Sequence, residues 1–274
     1  MMFTFTLFDV GHGFCAYAKT PGGSDILFDC GYDNEIQFYP STYFSDRKIT
    51  RIHNLTLSHF DQDHVATLDL LREDIHFDGL SRNKSIPPHI VRREKEKQGT
   101  VFSGMESAIE MHSNWTHPLT VAPNYGGVKV KRFYNEYPAF TDMNNLSVVT
   151  FLEYEGCGVV VPGDLECVGW EALLKKPAFC KCLEETTYFI ASHHGRNAGY
   201  CEEVFDHCQP LLILLSDKKL VHDTQEHDYT KHARGIPDSH GGTRRVLTTR
   251  NDGHIRIEKP SGQSVRVTYN YQLN

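Results

Sequence analysis

The sequence predicts an α/β fold: one domain spanning 1–274, built from strand-rich halves with helices on the outside. Three observations predict it. Short apolar segments rich in β-branched and aromatic residues alternate with segments of helical periodicity. No repeat, low-complexity tract or linker breaks the chain. Three apolar strands, in "LTLSHFDQDH", "VVVPGDLE" and "YFIASHHG", run into acids and histidines at the end where open α/β sheets build their sites. At 274 residues the chain can bury a large core without staples.

In chain order, "TFTLFDVG" sets Phe3, Phe5 and Leu7 against threonines, a period-2 strand that ends in a glycine turn. "FCAYAKT" and "DILFDCG" read as two more short strands around Pro21-Gly22-Gly23, so the chain opens as a β-meander. "RIHNLTLS" reads as one mostly buried strand. The polar stretch His59, Asp61, Gln62, Asp63, His64 follows, then "HVATLDLLRED" with Val65, Leu68 and Leu71 at helical spacing. Residues from about 72 to 140 are less regular. They hold a mixed-charge run, "VRREKEKQG", whose alternating signs predict a solvated face. A helix in "SGMESAIEMH" and a turn and strand in "NYGGVKVKRFY" follow. Beyond them come strands in "SVVTFLEY" and "GCGVVVPGD", a helix in "VGWEALLKK", and strands in "TTYFIASHHG" and "LLILLS". "RVLTT" and "HIRIE", joined through Asn251-Asp252-Gly253, and "SVRVTYNY" close the chain.

Bulk composition narrows the function classes. There is no run of 18 apolar residues to span a membrane, and "MMFTFTLFDVGHG" has no basic leader, so a cytoplasmic protein without membrane contact is expected. The eight cysteines sit in apolar segments with no C-x-x-C, which predicts buried reduced thiols rather than a disulfide framework. A net charge of −7 argues against a broad nucleic-acid-coating surface, whose affinity would come from Lys and Arg on phosphates. A small basic groove remains compatible with it.

The three strand ends carry the chemistry. In an extended segment residues i and i+2 share a face, so His59, Asp61 and Asp63 are expected to converge, as are Asp164 and Glu166, while His64 points elsewhere toward a second ion. Mixed histidine and carboxylate donors suit Zn²⁺, Mn²⁺ or Fe²⁺ rather than Ca²⁺. Two ions about 3.5–4 Å apart would activate water and clamp a phosphoryl or carbonyl oxygen. The bland alternative for residues 59–64 is a polar loop in which Asp63 caps the next helix; for Asp164 it is a turn residue after Pro162-Gly163.

"HFDQDH" resembles the H-x-H-x-D-H signature of the metallo-β-lactamase superfamily, with Asp61 in place of the second His, a replacement typical of the ComEC competence protein's metallo-β-lactamase-like domain and its standalone relatives. The resemblance continues in order: the N-terminal hairpins "FTLFDVGHGFCAYAKTPGGSDILFDCG" (with His12 where Gln is usual), "NNLSVVTFLEYEGCGVVVPGDLE", "ASHHG" and "RVLTTRNDGHIRIE". It implies a four-layered αββα sandwich with a dinuclear site of two divalent ions, Zn or Mn, on its edge. By motif, His59 and Asp61 would hold the first ion with His194 completing it. Asp63 and His64 would hold the second, and Asp164 would bridge both. His240 is the best match for the last ligand, with His222, His227 and His232 as rivals. Asp63 would orient the attacking hydroxide, and Glu166 and His193 would move protons. Which of His193 and His194 binds metal stays open. The branch implies a phosphodiester substrate, DNA or RNA; a small-molecule phosphoesterase and a non-catalytic binding protein are the alternatives.

Other residues take structural readings. His12 reads as a hydrogen-bonded core residue in preference to one that reaches the site, Asn144 and Asn145 as turn residues in preference to pocket lining, and His53, His76, His89, His112, His117, His207 and His254 as ordinary histidines. Lys129 and Lys131, with Arg244 and Arg245, are expected to form a phosphate rail or, in the plainer reading, to keep sheet edges soluble.

Overall fold

The computed structural model describes residues 1–33, 35–36, 38–116, 121–218, 224–238 and 241–270. The first sheet contains β1 (Met2–Leu7), β2 (Ala16–Lys19), β3 (Ile26–Phe28), β4 (Asn54–Thr56) and β5 (Leu80–Ser81), with two closing strands from the C-terminus. The second contains β6 (Lys129–Phe133), β7 (Val149–Tyr154), β8 (Cys157–Val161), β9 (Tyr188–Ile190), β10 (Leu212–Leu215) and β11 (Val246–Thr248). The closing strands are β12 (Ile255–Pro260) and β13 (Arg266–Tyr269), and β12 pairs with β1. The orders are β13-β12-β1-β2-β3-β4-β5 and β11-β10-β9-β8-β7-β6.

The inward residues Phe3, Phe5, Leu7, Ile26 and Phe28 pack against Leu152, Val159, Val161, Ile190, Leu212, Leu214 and Leu247, so the sheets lie face to face. The back of the first sheet, including Leu27 and Leu55, is covered by Phe44, Leu68, Leu71, Val91, Met105 and Ile109. Trp170, Leu173, Phe179, Leu183 and Tyr229 cover the back of the second. This is the αββα sandwich that the metallo-β-lactamase resemblance implies. The central strands of both sheets are buried on both faces, which is why β8, β9 and β10 read as near-continuous apolar runs, while β6, β12 and β13, at or beside the sheet edges, alternate.

Helices α1 (Pro40–Asp46), α2 (Gln62–Val65), α3 (Leu68–Asp74), α4 (Pro88–Gln98) and α5 (Ser103–Asn114) follow the first sheet's strands, and α6 (Cys167–Leu174), α7 (Pro177–Glu184) and α8 (Glu226–His232) follow the second's. The expected strand "RIHNLTLS" is split at His53, whose Nδ1 accepts the Asp25 N–H at 3.1 Å. The expected helix "HVATLDLLRED" breaks at Thr67, whose N–H and hydroxyl both turn to Cys30 O. The mixed-charge run is not wholly solvated. Residues 91–98 are helical, and Lys95, four residues after the buried Val91, is turned into the protein on the same face. All eight cysteines are free and most are buried, as expected. Among the described residues no helix is long and apolar enough to cross a membrane.

Parallel pairing of β3 with β4 and β5, and of β8 with β9 and β10, aligns the C-terminal ends of these strands. The polar segments that follow them therefore gather at one edge of the sandwich. The N-terminal hairpins clamp this edge. Phe14 N–H donates to Asp63 O at 3.0 Å and Cys30 N–H to His64 O at 2.8 Å. The approach requires glycine at 31, because a Cβ there would lie 1.7 Å from Asp63 O. Gly31→Ala is therefore expected to destabilise the fold by about 3 kcal/mol, the upper end for an overpacked site. Urea unfolding measures it, and a wild-type midpoint would mean that the 61–64 loop can shift freely.

His254 joins the start of β12 to the end of β1. Its Nδ1 accepts the Asp9 N–H at 2.9 Å, and its ring lies edge-on to Phe38 and Phe8. Burial, assisted by the Arg256 charge, pushes the imidazole down to about 4. In the unfolded chain the group titrates near 6.5, so between these values unfolding takes up a proton. The stabilisation is complete above about pH 6.5 and is lost as pH falls toward 4. Urea midpoints should fall from about pH 7 to pH 4.5 by more in the wild type than in His254→Phe. Equal drops would show that His254 does not contribute.

Candidate metal centre

The centre begins with Asp29, at the end of β3. Its backbone takes a left-handed conformation (φ 53°), and its carboxylate is almost completely buried. The Ser58 N–H donates to Oδ1 at 2.7 Å and the Ser58 hydroxyl to Oδ2 at 2.6 Å, so Asp29 ties β3 to the polar stretch after β4. Oδ2 also lies 2.8 Å from His64 Nδ1. A histidine that gives its Nδ1 proton to a carboxylate presents Nε2 as a donor to a metal. His194 is fixed in the same way by the carbonyl of Ser216, 2.8 Å from its Nδ1. Asp29 and Ser216 were not singled out from sequence. "DILFDCG" is nonetheless a fourth apolar strand ending in an acid, the same signal that marked the other three.

The two presented nitrogens meet two carboxylates. His64 Nε2 is 3.0 Å from Asp164 Oδ1 and 3.3 Å from His194 Nε2. His194 Nε2 is 3.3 Å from Asp63 Oδ2 and 3.6 Å from Asp164 Oδ2. One atom from each of Asp63, His64, Asp164 and His194 lies within 4.8 Å of the others. A tetrahedral centre with bonds of about 2.0–2.1 Å has donor–donor edges of roughly 3.3–3.4 Å, so the four donors fit a divalent ion such as Zn²⁺ or Mn²⁺. Burial alone would raise both carboxyls, but His194 for Asp63, and His64 and His194 for Asp164, hold them below the usual range. Burial likewise opposes charge on His64 and His194, yet Asp164, with Asp29 and Asp63 respectively, holds both above the usual imidazole value. A divalent ion bound there would take the place of the imidazole protons.

The ligand grouping differs from the expected one. Alternation along an extended segment was to bring His59, Asp61 and Asp63 together; instead the chain turns helical at Gln62, with Asp61 as the extended residue before it. Consecutive Asp63 and His64 thus both face the cluster, and Asp63 is not the helix cap. His194, expected beside His59 and Asp61, stands with Asp63 and His64. Asp61 turns to Lys95, whose Nζ pairs with its Oδ1. His59 is buried; its Nδ1 is 3.0 Å from the Ser58 hydroxyl and its Nε2 has no hydrogen-bond partner among the described residues. Burial, then the neighbouring His64, keeps His59 below the usual imidazole value.

His193 and Glu166 form the opposite wall. His193 Nε2 is 3.7 Å from Asp164 Oδ2, and its Nδ1 is 3.5 Å from Glu166 Oε1. Burial holds its imidazole below the usual value, the Arg196 charge adding to it and Asp164 opposing. Asn144 Nδ2 donates to Glu166 Oε1 at 3.0 Å and Asn145 Nδ2 to Oε2 at 3.4 Å, so these asparagines hold the glutamate rather than merely ending a turn. His12, read from sequence as a core residue, is half-buried at the mouth, 3.5 Å from Asp63 Oδ2. Arg196, not anticipated, donates to His12 Nε2 at 2.9 Å and to His193 Nε2 at 3.2 Å.

Of the last-ligand candidates, His240 and His222 lie outside the described residues. His227 is exposed on α8, and His232 Nε2 is 2.8 Å from the Tyr200 hydroxyl, its ring stacked on Phe205. The basic pieces do not form one rail. Lys129 and Lys131 belong to β6 and Arg244 lies next to β11, the opposite edges of the second sheet. Lys129 pairs with Glu153 at 2.8 Å and Arg244 with Asp252 at 2.7 Å.

No family model matches the chain, and no curated protein does. Among solved structures it is similar to the metallo hydrolase Igni18 of the archaeon Ignicoccus hospitalis, at 11% identity over 94% of this chain and 100% of that one, with a TM-score of 0.49. It is similar to the metallo-β-lactamase fold protein YhfI of Bacillus subtilis at 13% identity, 91% and 98% coverage and a TM-score of 0.48. A diphosphatase of the PhnP family is similar at 11% identity, 96% and 100% coverage and a TM-score of 0.46. Identities this low carry no residue roles.

Proposed function

We propose that this protein is a metal-dependent hydrolase that cleaves phosphodiesters, with DNA or RNA as the first candidate substrate. The observation that carries the reading is the four-donor cluster of Asp63, His64, Asp164 and His194, in which both histidines are oriented from behind by Asp29 and Ser216. A divalent ion held there, Zn²⁺ or Mn²⁺, would supply an acidified water at neutral pH and positive charge for the substrate's oxygens. Arg196 supports an anionic substrate: among the described residues its guanidinium meets two imidazoles, and no carboxylate pairs with it. A planar guanidinium in that position suits two phosphoryl oxygens. His193 stands between the cluster, on its Nε2 side, and Glu166, on its Nδ1 side, and would serve as the proton donor to the leaving oxygen once substrate draws Arg196 away from Nε2. Asp63 turns one oxygen toward His12 and His194 at the partly exposed side, where it can orient the attacking water.

The pairing of Lys129 and Arg244 with acids favours a second reading, a phosphoesterase for small molecules, since a polynucleotide needs charge along its length. The test is Mn²⁺- or Zn²⁺-dependent cleavage of end-labelled single- and double-stranded DNA and RNA, beside a small chromogenic phosphodiester. Cleavage of polynucleotide that Asp164→Ala abolishes supports the nuclease. Turnover of the small ester alone moves the assignment to the second reading, and no turnover of either by folded, metal-loaded protein overturns both.

A further inference from the structure

The resemblance implies two ions, but among the described residues only one half of the centre gathers donors for one. At this edge the donors that converge among the described residues are Asp63, His64, Asp164 and His194; Cys167, Cys201 and Glu203 form a second group. The other expected pair, His59 and Asp61, already faces a cation. Lys95 is 2% exposed, and its ammonium meets Asp61 Oδ1 and, at 3.0 Å, Gln98 Oε1. His59 Nε2 lies 3.8 Å from that same Asp61 oxygen. We propose that the Lys95 ammonium stands in place of the ion expected on His59 and Asp61, so that this centre takes a single divalent cation and Asp61 serves as the counter-charge of Lys95 rather than as a ligand.

Three features lead to this. A buried ammonium needs a paired anion, and among the described residues Asp61 is the only carboxylate that pairs with Lys95. The lysine's place is set by α4: Val91 and Lys95, one helical turn apart, are both on the buried face, while Arg93 and Lys97 pair with Glu94 at the exposed surface. Drawing Asp61 onto a dication would strand the ammonium and bring two positive charges together inside the protein.

The inference rests on the reading of the four-donor cluster as a metal centre but not on the reaction it performs, so metal content tests it. Metal-free protein is reloaded with excess Mn²⁺ or Zn²⁺, desalted, and its metal per chain measured for wild type, Lys95→Met, Lys95→Arg and Asp61→Asn. One ion in wild type and Lys95→Arg, and two in Lys95→Met, is the expected result. Two ions in wild type overturn it while leaving the hydrolase reading intact. None in folded wild type overturns the metal centre and this inference together. One ion in Lys95→Met would show that the ammonium does not keep a second ion out. Where Lys95→Met does not fold, Asp61→Asn decides: unchanged stoichiometry and affinity support the inference, and loss or weakening of the bound ion overturns it.

Discussion

Asp164→Asn is expected to abolish cleavage and to weaken metal binding by at least about 100-fold, more than the 10–100-fold loss typical when only a ligand's supporting partner is removed. Among the described residues Asp164 is the one carboxylate that lies near His64, at 3.0 Å, His194, at 3.6 Å, and His193, at 3.7 Å, together. It follows Pro162-Gly163 at the end of β8, where Gly163 at φ 62° turns the chain and the Ser147 hydroxyl accepts the Asp164 N–H at 3.3 Å. Asparagine keeps the shape and those backbone contacts, so the native circular dichroism should survive. What disappears is one anionic donor and the charge that balances His64 and His194. Isothermal titration of metal-free protein with Zn²⁺ reads the loss directly. Wild-type affinity in the variant would remove Asp164 from the centre and with it the grouping of the four donors.

The strand-end clusters were legible because the central strands are buried on both faces, so acids and histidines at their ends stand out against apolar runs. His59, Asp61, Asp63, His64, Asp164, Glu166, His193 and His194 do lie along one edge. Their grouping was not legible. It depends on the chain entering a helix at Gln62, and four residues of local pattern do not distinguish one helical turn from an extended loop. Lys95 was hidden for a different reason. Within "VRREKEKQG" its alternating neighbours read as solvent-facing, and only the orientation of α4 separates it from Lys97. Arg196 and His12 meet across 184 residues, a contact no local pattern encodes. The helix α8 passed unread because its buried anchor, Tyr229, stands almost alone among polar residues.

Asp29→Asn should be nearly as damaging as loss of a ligand, although Asp29 itself touches no position where an ion would bind. Its buried carboxylate accepts from Ser58 N–H and Ser58 hydroxyl and takes the Nδ1 proton of His64. Asparagine tolerates the positive φ at this position, so the backbone turn after β3 survives. One acceptor oxygen, however, becomes an NH₂ group. Placed toward Ser58 N–H or toward His64, that group sets donor against donor in a site closed to water. A buried hydrogen bond to a charged group is worth about 1.5–3 kcal/mol, and an unsatisfied partner costs a further 1–3 kcal/mol, so a loss of about 3 kcal/mol in stability is expected. The imidazole of His64 is then free to turn or to change tautomer, and metal affinity should fall by about 10–100-fold, with cleavage falling in step. The two effects separate in one experiment: urea unfolding of metal-free protein gives the stability term, and metal titration of the folded variant gives the orientation term. If stability falls while metal affinity holds, Asp29 is a strut for the β3–β4 junction alone. If both fall, the buried carboxylate is what makes His64 a ligand.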